Sequence, residues 1–240
     1  MNIFKKIIDN INYYSSIIKF KNHNQKIFKR KNYSKKRIIF VEHYPIWNSL
    51  IPYSYLSNVL SKKYNARIVS YTPFMKNFLI RIMYYISFKI GIYTFSITKS
   101  FGVEDLLIPK KLRNLKEYNI LINKINKIKS KEEILKLVFL NIKIGDLLYD
   151  GFLYKHKVAT VTLNKKFFEY AREFVYLFLY WHYIFSNNKV LGLIASHPIR
   201  EYGIPLRIAA HSNIHSYTTA FTFVYKHSKK KINPSFYDYK

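Results

Sequence analysis

Cysteine is missing altogether, glycine occurs only 6 times in 240 residues, and acids are scarce, with 13 Asp+Glu set against 41 Lys+Arg. The first absence excludes a disulfide framework, a thiolate metal site and a cysteine nucleophile, and it suits a reducing cytoplasm. The shortage of glycine leaves no G-x-G-x-x-G, no Walker loop and no G-x-S-x-G, so dinucleotide binding, P-loop hydrolysis and serine hydrolysis find no support. Long apolar runs are lacking too. The most membrane-like stretch, 74–95, is interrupted by Arg81 and Lys89 and falls short of a span of about 18 uncharged residues. The first twenty residues show neither an unbroken apolar core nor a small-residue cleavage site, so no signal peptide is expected.

What is present is positive charge and aromatic surface: a net charge of +28 with 18% Phe, Tyr and Trp. Such a field binds polyanions without specific contacts, which admits a nucleic-acid or anionic-membrane partner. The same bias toward Lys, Asn, Ile, Tyr and Phe is also what AT-rich coding produces in any protein. The eight histidines are scattered, and His211 and His215 lack a nearby acidic or third ligand, so no metal constellation is read.

Along the chain, residues 1–36 read as a basic arm with a helix over 2–20 and a linker ending in KRKNYSKKR, either a polyanion-binding arm or a solvated tail. RIIFVE (37–42) is the first strand, ended by His43-Tyr44-Pro45, and a helix over 52–64 follows with an apolar stripe of Tyr53, Leu56, Val59 and Leu60. Residues 66–71 form the next strand, and 74–91 an aromatic helix, either a packed core element or a membrane-surface or partner face. Short strands are predicted at 92–97 and 105–109. Two amphipathic helices fill 112–142, the second opened by a capping box at Ser130 and Glu133. A long aromatic helix runs from 163 to 185.

The stretch 190–220, VLGLIASHPIREYGIPLRIAAHSNIHSYTTA, then reads as buried strand, polar turn, helix and strand, a βαβ unit of a parallel sheet. The fold class is therefore α/β, a Rossmann-like parallel sheet flanked by helices over 37–225, with a basic tail at 226–240.

Ligands of such sheets sit outside the carboxyl ends of the strands. Glu42 and His43 fall there, and either is suited to act as general base toward a hydroxyl. Ser196, His197 and Arg200 fall at the corresponding end of the later strand. His197 is placed to orient a hydroxyl or phosphate, while Arg200 and the helix start at Tyr202-Gly203 are placed to hold an anion. Gly203 either lets a ligand approach or eases packing. Asp146 and Asp150, four apart, share a helix face and either bind a sugar or complement the helix dipole.

KIGDLLYDGFLYK, the long aromatic helix and LIASHPIREYGIPLRIA, together with the opening IIFVEHYP and NARIVSYTP, resemble the N-terminal half of bacterial surface-polysaccharide biosynthesis proteins. These are the glycosyltransferase-like proteins of capsule and lipopolysaccharide gene clusters, often with the two-Rossmann-domain GT-B architecture. The resemblance implies sugar transfer from a nucleotide-activated donor, with the nucleotide-sugar a substrate and no cofactor. This half would shape the acceptor side, so the partners implied are a sugar or lipid-linked acceptor and a C-terminal domain or second subunit for the donor. The basic arm and the aromatic helix over 74–91 suit a cytoplasmic protein held peripherally at the anionic inner membrane. The alternative is a non-enzymatic, ribosomal-type RNA-binding protein, relying on stacking and a cationic groove.

Overall fold

The computed structural model describes residues 3–28, 33–73, 75, 77–112, 116–220 and 223–229. Part of the basic linker and most of the basic tail lie outside the described residues.

Six strands make one sheet: β1 (Ser34–Glu42), β2 (Ala66–Tyr71), β3 (Val103–Leu107), β6 (Lys189–Ala195), β7 (His215–Ala220) and β8 (Phe223–His227). Their spatial order is β3-β2-β1-β6-β7-β8, with every neighbouring pair parallel except β7–β8. This is a Rossmann-like α/β sheet with an antiparallel strand added at one edge. The strand-like reading of RIIFVE follows from burial on both faces: Ile38 and Phe40 point to one layer, and Ile39 and Val41 to the other, all nearly inaccessible.

One face is covered by α2 (Trp47–Tyr64) and α4 (Thr94–Ser100). The other is covered by α5 (Lys116–Asn126), α6 (Lys131–Leu135), α7 (Gly145–His156), α8 (Lys165–Asn187) and α9 (Gly203–His211), with a small hairpin of β4 (Val138–Phe139) and β5 (Ile142–Lys143) among them. The 23 residues of α8 span about 35 Å, enough to cross the sheet. Asn164 caps its start, and Trp181 packs edge-on against Phe40 and Tyr71 at centroid distances of 5.9 and 4.9 Å. The capping box opening α6 is present. Ser130 Oγ accepts from Glu133 N–H, and Glu133 reaches back to the N–H of Lys129 rather than to that of the cap itself.

Three expectations need correction, and one open reading is decided. The N-terminal helix, α1, runs Ile3–Phe28, well past residue 20, and its last turns dock on the domain: the Asn24 amide donates to Ser100 Oγ, and Phe28 stacks on Phe101 at 4.9 Å. The strand expected at 92–97 is instead α4. Its alternating pattern is overridden because Phe95 and Ile97 are buried in two different clusters on separate sides of a helix, while the hydroxyls of Ser96, Thr98 and Ser100 bond to carbonyls three residues back. On α2 the inward stripe is Leu50, Tyr53, Ser57 and Leu60, with Val59 facing solvent. The small serines let α2 sit close to the sheet. Finally, α3 (Phe78–Ile90) is no core helix, since Phe88 is its one buried residue.

Gly145 is required by a close approach. A Cβ on Gly145, at the start of α7, would lie on the Ile134 carbonyl at the end of α6. Gly145→Ala is expected to lower stability by about 3 kcal/mol in a urea unfolding titration, the cost of forcing backbone apart in a packed region.

Candidate active site

The chain builds β2 and β3 on one side of β1, and β6, β7 and β8 on the other, so the carboxyl ends of β1 and β6 flank the switch point of the sheet. Glu42 is the last residue of β1, and Ser196 follows the last residue of β6. The Ser196 N–H donates to Glu42 Oε2 at 2.6 Å across that gap. Glu42 is 2% exposed, and neither its Oε1 nor the Ser196 hydroxyl has a hydrogen bond of regular geometry among the described residues. Burial raises the Glu42 pKa to about 7, against the opposing pull of the Ser196 N–H and of the nearby Ser196 and Tyr71 hydroxyls. Near neutral pH this carboxyl therefore exists in both protonation states.

His43 follows immediately. Its ring stacks on Phe95 at 4.0 Å, and its Nε2 lies 3.0 Å from Thr94 Oγ1. Burial pushes its pKa down to about 4, so the imidazole is neutral, and it is a much weaker base than Glu42. His197 is half-buried, edge-on to the rings of Tyr44 and Tyr202, and is held below its ordinary pKa by desolvation and then by the charge of Arg200. It too is a neutral hydrogen-bonding group at the cleft. Arg200 adopts a left-handed backbone conformation, φ 54°, which turns its guanidinium flat over the Tyr154 ring at 3.4 Å.

Ser196, His197 and Arg200 thus gather with Glu42 and His43 at one edge, as the sequence predicts. The aspartates do not behave as ligand groups in the same way. Both oxygens of Asp146 are taken by Arg207, at 3.0 and 2.8 Å, and Arg207 also donates to the Lys143 carbonyl. Asp146 is a strut between α7 and α9. Asp150 shares its helix face but stands exposed, its pKa raised by partial burial and by the Asp146 charge. At Gly203 a Cβ would press on the Pro198 carbonyl and on Leu147, so this glycine serves the turn into α9 rather than the approach of a ligand.

A cleft with two lobes of about 300 Å³ each opens at this edge, with Pro73 and Tyr202 common to both. One lobe is bordered by Tyr154, Lys155, Tyr170, Glu173 and Glu201, and the other by His43, Tyr44, Met75 and Tyr84. A narrow recess of about 20 Å³ between them reaches Glu42, Tyr71 and Trp181. Tyr202 is among the residues the sequence points to, whereas Tyr71, Tyr170 and Glu201 have no motif to announce them. The Tyr170 hydroxyl donates to Glu201 Oε2 at 3.2 Å, and Gly151 leaves room for that hydroxyl, which a Cβ would strike. The one sequence signal was positional: Glu201 and Tyr202 follow a strand end in the same turn as Arg200.

Among the described residues no group of three or more His, Asp or Glu is arranged to hold a metal ion. No protein-family model, no curated protein and no solved structure matches the chain, so the cleft around Glu42 carries the functional argument.

Proposed function

We propose that the domain is the acceptor-side half of a glycosyltransferase-like enzyme of surface-polysaccharide synthesis, with Glu42 as the general base. The observation that carries this reading is the buried carboxyl at the switch point, one oxygen of which has no hydrogen bond of regular geometry among the described residues, with a pKa raised to about 7. A base poised near the operating pH is what abstraction of a hydroxyl proton needs. In the step proposed, an acceptor hydroxyl gives its proton to Glu42 Oε1 while its oxygen bonds to the anomeric carbon of a nucleotide-sugar. The bond from that carbon to the phosphate oxygen breaks, and the nucleotide leaves with the electron pair. His43 and His197, both neutral, orient hydroxyls, and the tyrosines along the lobes offer flat apolar faces to a sugar ring. Arg200 favours the phosphate side. A second unit, on the same chain or another, supplies the donor.

The test begins with binding. Thermal unfolding of the chain is followed with methyl pyranosides and with short isoprenyl-phosphate-linked sugars. At least one of these is expected to raise the melting temperature, and Tyr202→Ala to abolish the rise. With a donor-binding unit present, kcat/KM should climb with pH and level off above about 7, as Glu42 loses its proton. No response to any sugar, together with tight RNA binding that falls steeply with salt, would move the protein to the RNA-binding class.

A further inference from the structure

Helix α3 carries its apolar side chains outward. Phe78, Leu79, Met83 and Ile90 each expose about two-thirds of their surface and Ile86 about half, and Tyr93, just before α4, exposes more still. Phe88 anchors the helix inward, stacking edge-on with Phe95, and Lys99 ties its end by donating to the carbonyls of Phe88 and Lys89. The helix is therefore firmly seated by one stripe while a contiguous apolar ridge faces away from the protein. A ridge of this kind is uncommon on a protein surface that meets only water.

The charge around it has one sign. Between Glu42 and Glu104 the sequence contains no Asp or Glu, and every charged residue there is Lys or Arg. Lys89 lies on the exposed side of the helix, over the Tyr85 ring at 5.2 Å, while Arg81 faces inward with its Nε buried. The basic helix α1 packs against α4, the next element, and adds exposed Lys19 and Lys26. Length separates lying from crossing. Thirteen residues reach about 20 Å, short of the roughly 30 Å hydrocarbon core. The continuation through α4 bends by 49° and is buried in the fold by Phe95 and Ile97.

We infer that α3 is a membrane-surface helix that docks this protein on an anionic bilayer, its apolar ridge sunk among the acyl chains and its cations against the headgroups. Tyr85 and Tyr93 occupy the boundary, where an amphipathic ring is favoured. Tyr84, on the inward side of the same helix, lines one lobe of the cleft, so a docked protein holds that lobe beside the lipid surface. The inference stands on the helix face and its charge, and it does not depend on the reaction proposed for Glu42.

The experiment uses the full chain with vesicles of phosphatidylcholine alone or mixed with phosphatidylglycerol. The protein is expected to sediment with the mixed vesicles, and Met83→Trp to shift its emission to the blue on binding. The triple variant Leu79→Ser, Met83→Ser, Ile86→Ser removes only exposed side chains. It should keep the wild-type melting temperature while its partition coefficient falls about a hundredfold. Equal binding by the triple variant would mean that charge alone holds the protein, and the inference fails. It fails equally if the tryptophan emission does not move. A dimer that the triple variant dissolves, without any vesicle uptake, would reassign the ridge to contact between copies of the chain.

Discussion

Glu42→Gln is expected to make the protein more stable at neutral and alkaline pH by about 2 kcal/mol while removing its capacity to accept a proton. The buried carboxyl has its pKa raised from 4.5 to about 7. Between those values the folded protein holds a proton that the unfolded chain has released. Stability linked to Glu42 is therefore complete below pH 4.5, drains away as the pH rises toward 7, and is gone above it. The full difference is worth about 3 kcal/mol, and an amide nitrogen left without a partner takes back part of the gain. Urea titrations of both proteins near pH 4 and pH 8 read this directly: curves nearly equal at the acid end should separate as the pH rises. A constant gap would mean that Glu42 titrates like an ordinary carboxylate, and the base assigned to the cleft would be lost with it.

Arg207→Ala is expected to cost about 3 kcal/mol, the lower part of the range for breaking a buried ion pair, because Asp146 retains 30% of its side-chain exposure. Arg207 is 5% exposed and joins three things at once: α9, the Asp146 carboxylate on α7 and the Lys143 carbonyl in the hairpin before it. Without it, Asp146 keeps its charge one turn from Asp150 with no cation against it. Arg207→Lys should recover little, since a point charge cannot satisfy both carboxylate oxygens and a carbonyl in one plane. The double variant Arg207→Met with Asp146→Leu should recover most of the loss, because matched apolar groups suit such a site. Denaturant unfolding of the wild type and the three variants measures these differences. A loss below about 1 kcal/mol for Arg207→Ala would return Asp146 to the candidates for ligand binding.

The strands that build the site were legible because both of their faces are buried and their ends are marked. RIIFVE and VLGLIA are continuous apolar runs, each closed within three residues by a proline, and both lie where they were read. The edge residues Glu42, His43, Ser196 and His197 followed from those ends. Local pattern failed where a distant contact decided the outcome. Alternation in IYTFSI suggested a strand, but a helix places Phe95 under His43 and Ile97 in a cluster with Leu50 and Phe101. Asp146 looked free because its partner lies 61 residues away. Tyr71 and Tyr170 stayed hidden among 23 tyrosines in the chain, since nothing local distinguishes them from the rest, whereas Tyr202 stood out by its place at a helix start. The apolar run of α3 was legible as a helix but not as core or surface face, because periodicity does not say whether a face has something to cover it.

The bond from Ser196 to Glu42 joins residues 154 apart in sequence. During synthesis, β1, α2, β2, α4 and β3 leave the ribosome together and can pair through short crossovers, while β6 emerges only after the whole layer α5 to α8. Closing so long a loop is slow, and contacts of this separation form late. Until β6 docks, the Glu42 carboxyl sits at the open edge of a half-sheet, hydrated and with an ordinary affinity for its proton. The raised pKa is thus acquired in the last stage of folding. A chain in which β6 has not docked has the Glu42 carboxyl without its burial, so the raised pKa depends on completion of the sheet.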